Sequence, residues 1–109
     1  VGLFQKNELV ELLERLTQWL LAIRAAFASG RNDEALDEIR KARALLAGAL
    51  GGSIDRVDAS TVVALLGREK ARVYGELARL EAEVQNARGD DAASRKASLR
   101  AEAVERASS

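Results

Sequence analysis

Acid–base or metal chemistry in this chain would have to rest on carboxylates, because its 109 residues include neither histidine nor cysteine. Those two side chains supply the commonest general bases and transition-metal ligands, and without cysteine there is neither a thiol nucleophile nor a disulfide framework. Glu8, Glu11 and Glu14 recur every third residue and share one helix face, as do Glu76 and Glu83. A di-metal carboxylate bundle needs such groups turned inward, usually with a Glu-x-x-His pair. These glutamates fall on polar faces, so solvated helix surface is the expected reading. The glycine-rich stretch Gly48-Ala49-Leu50-Gly51-Gly52-Ser53 invites comparison with a phosphate-binding loop. That loop follows a strand and sets a lysine beside its hydroxyl residue. This one follows a helix and has no such lysine, so it is expected to terminate the helix. Ser60, Thr61 and Ser94 have no base to activate them; helix capping accounts for Ser60 and offers a role for Ser94. No catalytic residue, cofactor site or metal ligand is expected.

The two large polar-tipped aromatics have two readings each. A lone tryptophan is a common anchor for a partner, but the spacing of Trp19 with Leu16 and Ile23 places it in a helical core. Tyr74 is expected at a core edge, where its hydroxyl finds water or a partner.

These side chains are carried by a helical framework. There is no proline, and glycines fall between apolar-periodic segments, which is how helices are punctuated when proline is not used. Leu9, Leu12, Leu13, Leu16, Trp19, Leu20, Ile23 and Phe27 keep a spacing of three and four, predicting a first helix over 9–27. Asn7 is its candidate N-cap, with Glu8 and Glu11 in the first turn and Gly30 ending it. A second helix is predicted from Asn32 or Asp33 to Leu46, with a stripe of Ala35, Leu36, Ile39, Ala42 and Leu46. Acids load its front, and Arg40, Lys41 and Arg43 its rear. Residues 53–67 read as a turn and a short helix capped by Ser60, with Val62, Val63, Leu65 and Leu66 plugging the open end of the bundle. A fourth helix spans 68–88 with Val73, Leu77, Leu80 and Val84 inward, beside Tyr74 and Ala78. Gly89 stops it, and Asp90 caps a fifth helix reaching Ala107. The stripe of that helix, Ala93, Ala97, Ala101 and Val104, offers little area to bury, with Leu99 off to one side. It is expected to fray or to rest on a partner. The fold class is therefore all-α: antiparallel helical hairpins, about four longer helices plus one short helix. One domain covers 1–109, with a hairpin at 7–47, the glycine-rich loop and short helix at 48–67, and a hairpin at 68–107.

Seventeen basic residues balance seventeen acidic ones, and no segment is strongly one-signed. Nucleic-acid binding, which feeds on a basic patch, is not expected. Unbroken apolar runs such as 19–23 are far short of the roughly 20 residues a bilayer requires, so no membrane span is expected. The opening Val1 to Lys6 lacks a basic flank, apolar core and small-residue cleavage site, and a cytoplasmic protein is expected.

Trp19, Ala22, Ile23 and Ala26 before the Gly30 turn, with Ala35, Ile39 and Ala42 after it, resemble one tetratricopeptide-type hairpin. Small residues let the two axes approach, and the large aromatic fills the space beside the crossing. A fainter copy runs from Ala78 through Gly89-Asp90 to Ala101, with Ser94 and Ser98 where the pattern has small-apolar and aromatic residues. Gly30 and Gly89 lie 59 residues apart, whereas a tandem array repeats at about 34, so a regular solenoid is excluded. With its Leu3-Phe4-Gln5-Lys6 opening, the whole chain looks like a small bacterial family of tetratricopeptide-like (TPR-like) proteins without assigned activity. That resemblance implies a peptide-holding groove at Thr17, Leu20, Arg24, Phe27, Arg79 and Asn86. Arg24 and Arg79 would be placed to meet an acidic segment, although the usual lysine-and-asparagine carboxylate clamp is not reproduced.

The first helix also has more apolar residues than one stripe requires: Val10, Leu13, Leu20 and Leu21 broaden its face, and Leu3 and Phe4 extend it. Either a second copy of the chain or the short and fifth helices would cover this surplus. The expected function is a non-enzymatic protein–protein interaction module, an adaptor or a self-associating homodimeric scaffold. The alternative is a small-ligand binder or carboxylate-only enzyme using arginines and Tyr74 in a helical pocket. Its mark would be two inward carboxylates, or a buried Arg–Glu pair without a structural explanation.

Overall fold

The computed structural model describes residues 2–109, with side chains from Glu8 onward, and these form five α-helices and no strand. They are α1 (Gly2–Ala28), α2 (Asn32–Ala47), α3 (Ala59–Leu66), α4 (Arg68–Ala87) and α5 (Asp91–Ser108), with a 3-10 segment, Gly48–Asp55, between α2 and α3. The chain is thus all-α, built on two hairpins, α1–α2 and α4–α5.

Both hairpins turn in the same way. Gly30 N–H donates to Phe27 O and Arg31 N–H to Ala26 O; Gly89 N–H donates to Asn86 O and Asp90 N–H to Gln85 O. This is the Schellman arrangement, which satisfies the last carbonyls of a helix and requires a left-handed residue. The glycines supply it, with φ of 78° at Gly30 and 84° at Gly89. Asp90 then starts α5 by accepting the Ala93 N–H at 3.0 Å.

α2 packs against both α1 and α4, which joins the hairpins side by side. Leu16 and Ile23 of α1, Ile39 of α2, Ile54, Val62 of α3, Leu77 and Val84 of α4 and Val104 of α5 are the largest fully buried side chains. Ala26, Ala35 and Ala42 are buried with them, whereas Ala22 is exposed and lies outside the crossing. Trp19 is only half-buried against the core, and its indole N–H donates to Glu38 Oε2 at 2.7 Å.

Several boundaries differ from expectation. α1 begins at Gly2, so Asn7 sits inside it rather than capping it, and Glu8 and Glu11 lie beyond the first turn. Nothing between Gly2 and Ala28 stops a helix, and an unused capping residue does not terminate one. At 1.5 Å per residue α1, eleven residues longer, exceeds α2 by about 16.5 Å. The side chains of Leu3 and Phe4, expected to widen its face, lie outside those described. Residues 48–55 are two short 3-10 turns kinked at Gly51, not an open loop. α3 is capped by Asp58, which accepts the Thr61 N–H at 2.9 Å, instead of by Ser60. α3 lies against α4 and α5, with Val62 buried but Leu65 half exposed. α2 runs to Ala47, leaving its last turn without a basic residue.

The largest correction concerns α5. It is docked, and its pairing with α4 is the most extensive in the molecule. Ala97, Ala101 and Val104 are buried, and Gly75 of α4 faces Ala101, Val104 and Glu105. Small residues on both helices bring the backbones close, so contact between main chains replaces the side-chain area that α5 lacks.

Candidate functional site

The residues implied by the tetratricopeptide resemblance do not line one groove. Leu20 is 8% exposed and belongs to the core, and Phe27 packs half-buried against it. Thr17 is exposed, and its hydroxyl donates to Leu13 O within its own helix at 2.9 Å. Arg24 lies 4.0 Å from Glu76 of α4. Arg79 turns to α5 and grips Glu105 with two donors, one at 2.7 Å. That grip holds the Glu105 carboxyl below the usual carboxylate range. Arg79 is therefore committed within the chain, whereas Arg24 stays half exposed at the limit of ion-pair distance. The hollow beside Thr17 is lined by α1 alone, with Val10 and Leu13, whereas Asn86 lines another between α4 and α5.

α1 also leaves two large apolar side chains in solvent, with exposed Glu14 and Thr17 between them on the same flank. Val10 and Leu21 are 52% and 58% exposed. They stand eleven residues and three turns apart, hence on one flank of the helix, while Leu16, Leu20 and Ile23 face the core.

A polar cleft forms where α2, the 3-10 segment, α4 and α5 meet; the alternative reading named arginines and Tyr74 in a helical pocket but not Arg43, Arg100, Asp55 or Glu81, which line this one with Tyr74. Arg43 Nη2 donates to Glu81 Oε1 at 2.5 Å, and both side chains are largely buried. Burial disfavours the Arg43 charge, but Glu81 and Asp55 outweigh it and hold the guanidinium above its ordinary range. Tyr74 donates its hydroxyl to Asp55 Oδ1 at 2.7 Å and accepts from Arg100 Nε at 3.2 Å. Arg100 Nη2 donates to the Ile54 carbonyl at 2.9 Å, tying α5 to the 3-10 segment. The guanidinium carbons of Arg43 and Arg100 lie 5.7 Å and 5.5 Å from the Tyr74 ring centroid, within cation–π range. Burial, chiefly, raises the Tyr74 hydroxyl above its ordinary value; Arg100 opposes this and Asp55 reinforces it.

One signal for this cluster was present in the helical spacing. Arg43 follows Ile39 by four, and Glu81 follows Leu77 by four and precedes Val84 by three, so both charges occupy inward registers. The expected glutamates stay outside: Glu8, Glu11, Glu14 and Glu83 are exposed. Among the described residues no group of three or more carboxylates is placed to hold a metal ion, and no helix is long and apolar enough to cross a membrane. Ser94 donates to Ala82 O at 2.8 Å, a link between α4 and α5 that explains it better than capping does. No protein-family model, curated protein or solved structure matches this chain.

Proposed function

We propose that this protein is a non-enzymatic protein–protein interaction module, a TPR-like scaffold of two helical hairpins that uses α1 to hold another polypeptide or a second copy of itself. The observation that carries this reading is the pair of large apolar side chains on the outward flank of α1. A helix serving only the core needs one stripe, and Leu16, Leu20 and Ile23 already provide it. Val10 and Leu21 add solvent-exposed apolar surface on a different side, with Leu13 half-buried between the two. Surface of that kind gains free energy when a partner removes it from water. The shared Schellman turns and the buried alanines at the α1–α2 crossing support the TPR-like form.

The test is solution mass and partner capture for the wild type and for the double variant V10K/L21E. Both residues are exposed, so the variant keeps its helical spectrum. Wild-type protein is expected to exceed the 11.7 kDa of one chain or to retain a protein partner, and the variant to lose that behaviour. A wild-type monomer that captures nothing removes the reading. A second variant, R24A/R79A, addresses groove binding: partner capture unaltered by it places binding on the α1 flank alone.

A further inference from the structure

The Tyr74 cleft contains charge that the fold leaves uncompensated. It is a half-open hollow of about 690 Å³, within the range of small-molecule sites. Three cations, Arg43, Lys96 and Arg100, line it with two carboxylates, Asp55 and Glu81. Glu81 is committed to Arg43. Asp55 accepts the Tyr74 hydroxyl and lies 4.0 Å from Arg43 Nε. Arg100 donates only to neutral oxygens, the phenol and the Ile54 carbonyl, and among the described residues no carboxylate lies within 4.0 Å of it. Lys96, one turn earlier on α5, makes no ion pair with them either. Arg43 Nε is fully buried and, among the described residues, has no hydrogen-bond acceptor. Buried donors are normally satisfied, so the cleft holds one orphaned N–H and, with three cations against two carboxylates, one positive charge in excess.

The rest of the wall is apolar: Ala78, Ala93, Ala97 and Leu99. Guanidinium donors matched to an apolar wall suit a ligand with a charged head and a hydrocarbon body. The fixed negative charges of Asp55 and Glu81 set the size of the head's charge. A dianion such as phosphate meets repulsion from both, whereas a single negative charge balances the one positive charge in excess. We propose that this cleft is a binding site for a small organic monocarboxylate. Arg100 and Lys96 hold its carboxylate, and Ala93, Ala97 and Leu99 receive its apolar part. The Tyr74 ring and the Ile54 carbonyl fix the Arg100 guanidinium before the ligand arrives, which lowers the entropic cost of binding. This site is independent of the α1 flank and stands or falls separately from the interaction module.

Amide shift perturbation of the isotope-labelled protein, titrated with hexanoate, benzoate, hexanamide and inorganic phosphate, tests it. Hexanoate or benzoate is expected to saturate shifts confined to residues 54–55, 74 and 93–100. Hexanamide and phosphate are expected to bind at least about tenfold more weakly, the loss of one charge-assisted contact. K96M, at an exposed position, keeps the fold and is expected to weaken the carboxylate by about fivefold. R100K, which keeps the charge but not the fork, is expected to weaken it further. The proposal is overturned if neither carboxylate saturates, if hexanamide or phosphate binds as tightly, or if K96M and R100K leave carboxylate affinity unchanged.

Discussion

The Tyr74 hydroxyl donates to Asp55 and accepts from Arg100, so deleting that one oxygen strips a hydrogen-bond partner from two charged groups on two elements. Tyr74→Phe is expected to lower stability by about 1–2 kcal/mol, the cost of leaving such groups unsatisfied. Urea unfolding followed through Trp19, the single tryptophan, measures it; an unchanged midpoint would show that water replaces the hydroxyl without loss. The same group makes a pH prediction, because Tyr74 is the single tyrosine and absorbance at its phenolate band reports it alone. Burial raises its folded-state pKa, so the unfolded chain releases this proton first, near the ordinary value of about 10. The associated stabilisation is whole below about pH 10 and declines as pH rises from there through the folded value. Native protein should therefore ionise this phenol at higher pH than urea-unfolded protein does. Coincident titrations would place the hydroxyl in water.

Glycine-to-alanine substitution is expected to act with opposite signs on two elements. At Gly30, φ is 78° and nothing crowds the site, so the penalty is that of a left-handed alanine, about 1 kcal/mol. Gly75 lies inside α4 with no positive φ, and a Cβ there would meet Glu105 Cγ at 3.6 Å and Val104 Cγ1 at 3.9 Å, ordinary contact distances. Gly75→Ala is expected to add about 0.5–1 kcal/mol of stability through helix propensity, read as a higher melting temperature. A lower one would mean that α4 and α5 approach too closely to admit the methyl. This pairing also marks what was legible in the sequence. The helices, their inward stripes and the glycines at both hairpin turns follow from periodicity and from the left-handed residue a helix end requires, information local to each segment. The docking of α5 was not local. Judged by area its alanines are poor, and their value emerges only when Gly75 of α4 gives Ala101 a close neighbour. The cleft was less legible still: Arg43 and Glu81 occupy inward registers, but their compensation joins residues 38 apart in sequence, which no periodic pattern encodes. The start of α1 was missed for another reason, since Asn7 is able to cap a helix but does not compel one to begin.

At the scale of the whole molecule, equal numbers of acidic and basic residues leave no net charge at neutral pH, so long-range repulsion does not oppose the approach of a second chain. The attraction on the α1 flank is apolar, and apolar association responds to conditions differently from ionic association. Raising sodium chloride screens ion pairs but leaves apolar burial in place, and sulfate strengthens it. If α1 pairs with α1 of a second copy, the melting temperature must rise with protein concentration, because association stabilises the native state by mass action. We therefore expect a hundredfold increase in concentration to raise it by several degrees in wild-type protein. That rise should persist in high sodium chloride, grow in sulfate and vanish in V10K/L21E. A concentration-dependent melt abolished by sodium chloride would transfer the contact to charged surfaces, with Arg24 and Glu76, more exposed than Arg43 and Glu81, the first pair to substitute. A melt independent of concentration, in a chain that still captures another protein through Val10 and Leu21, would assign the flank to a different polypeptide.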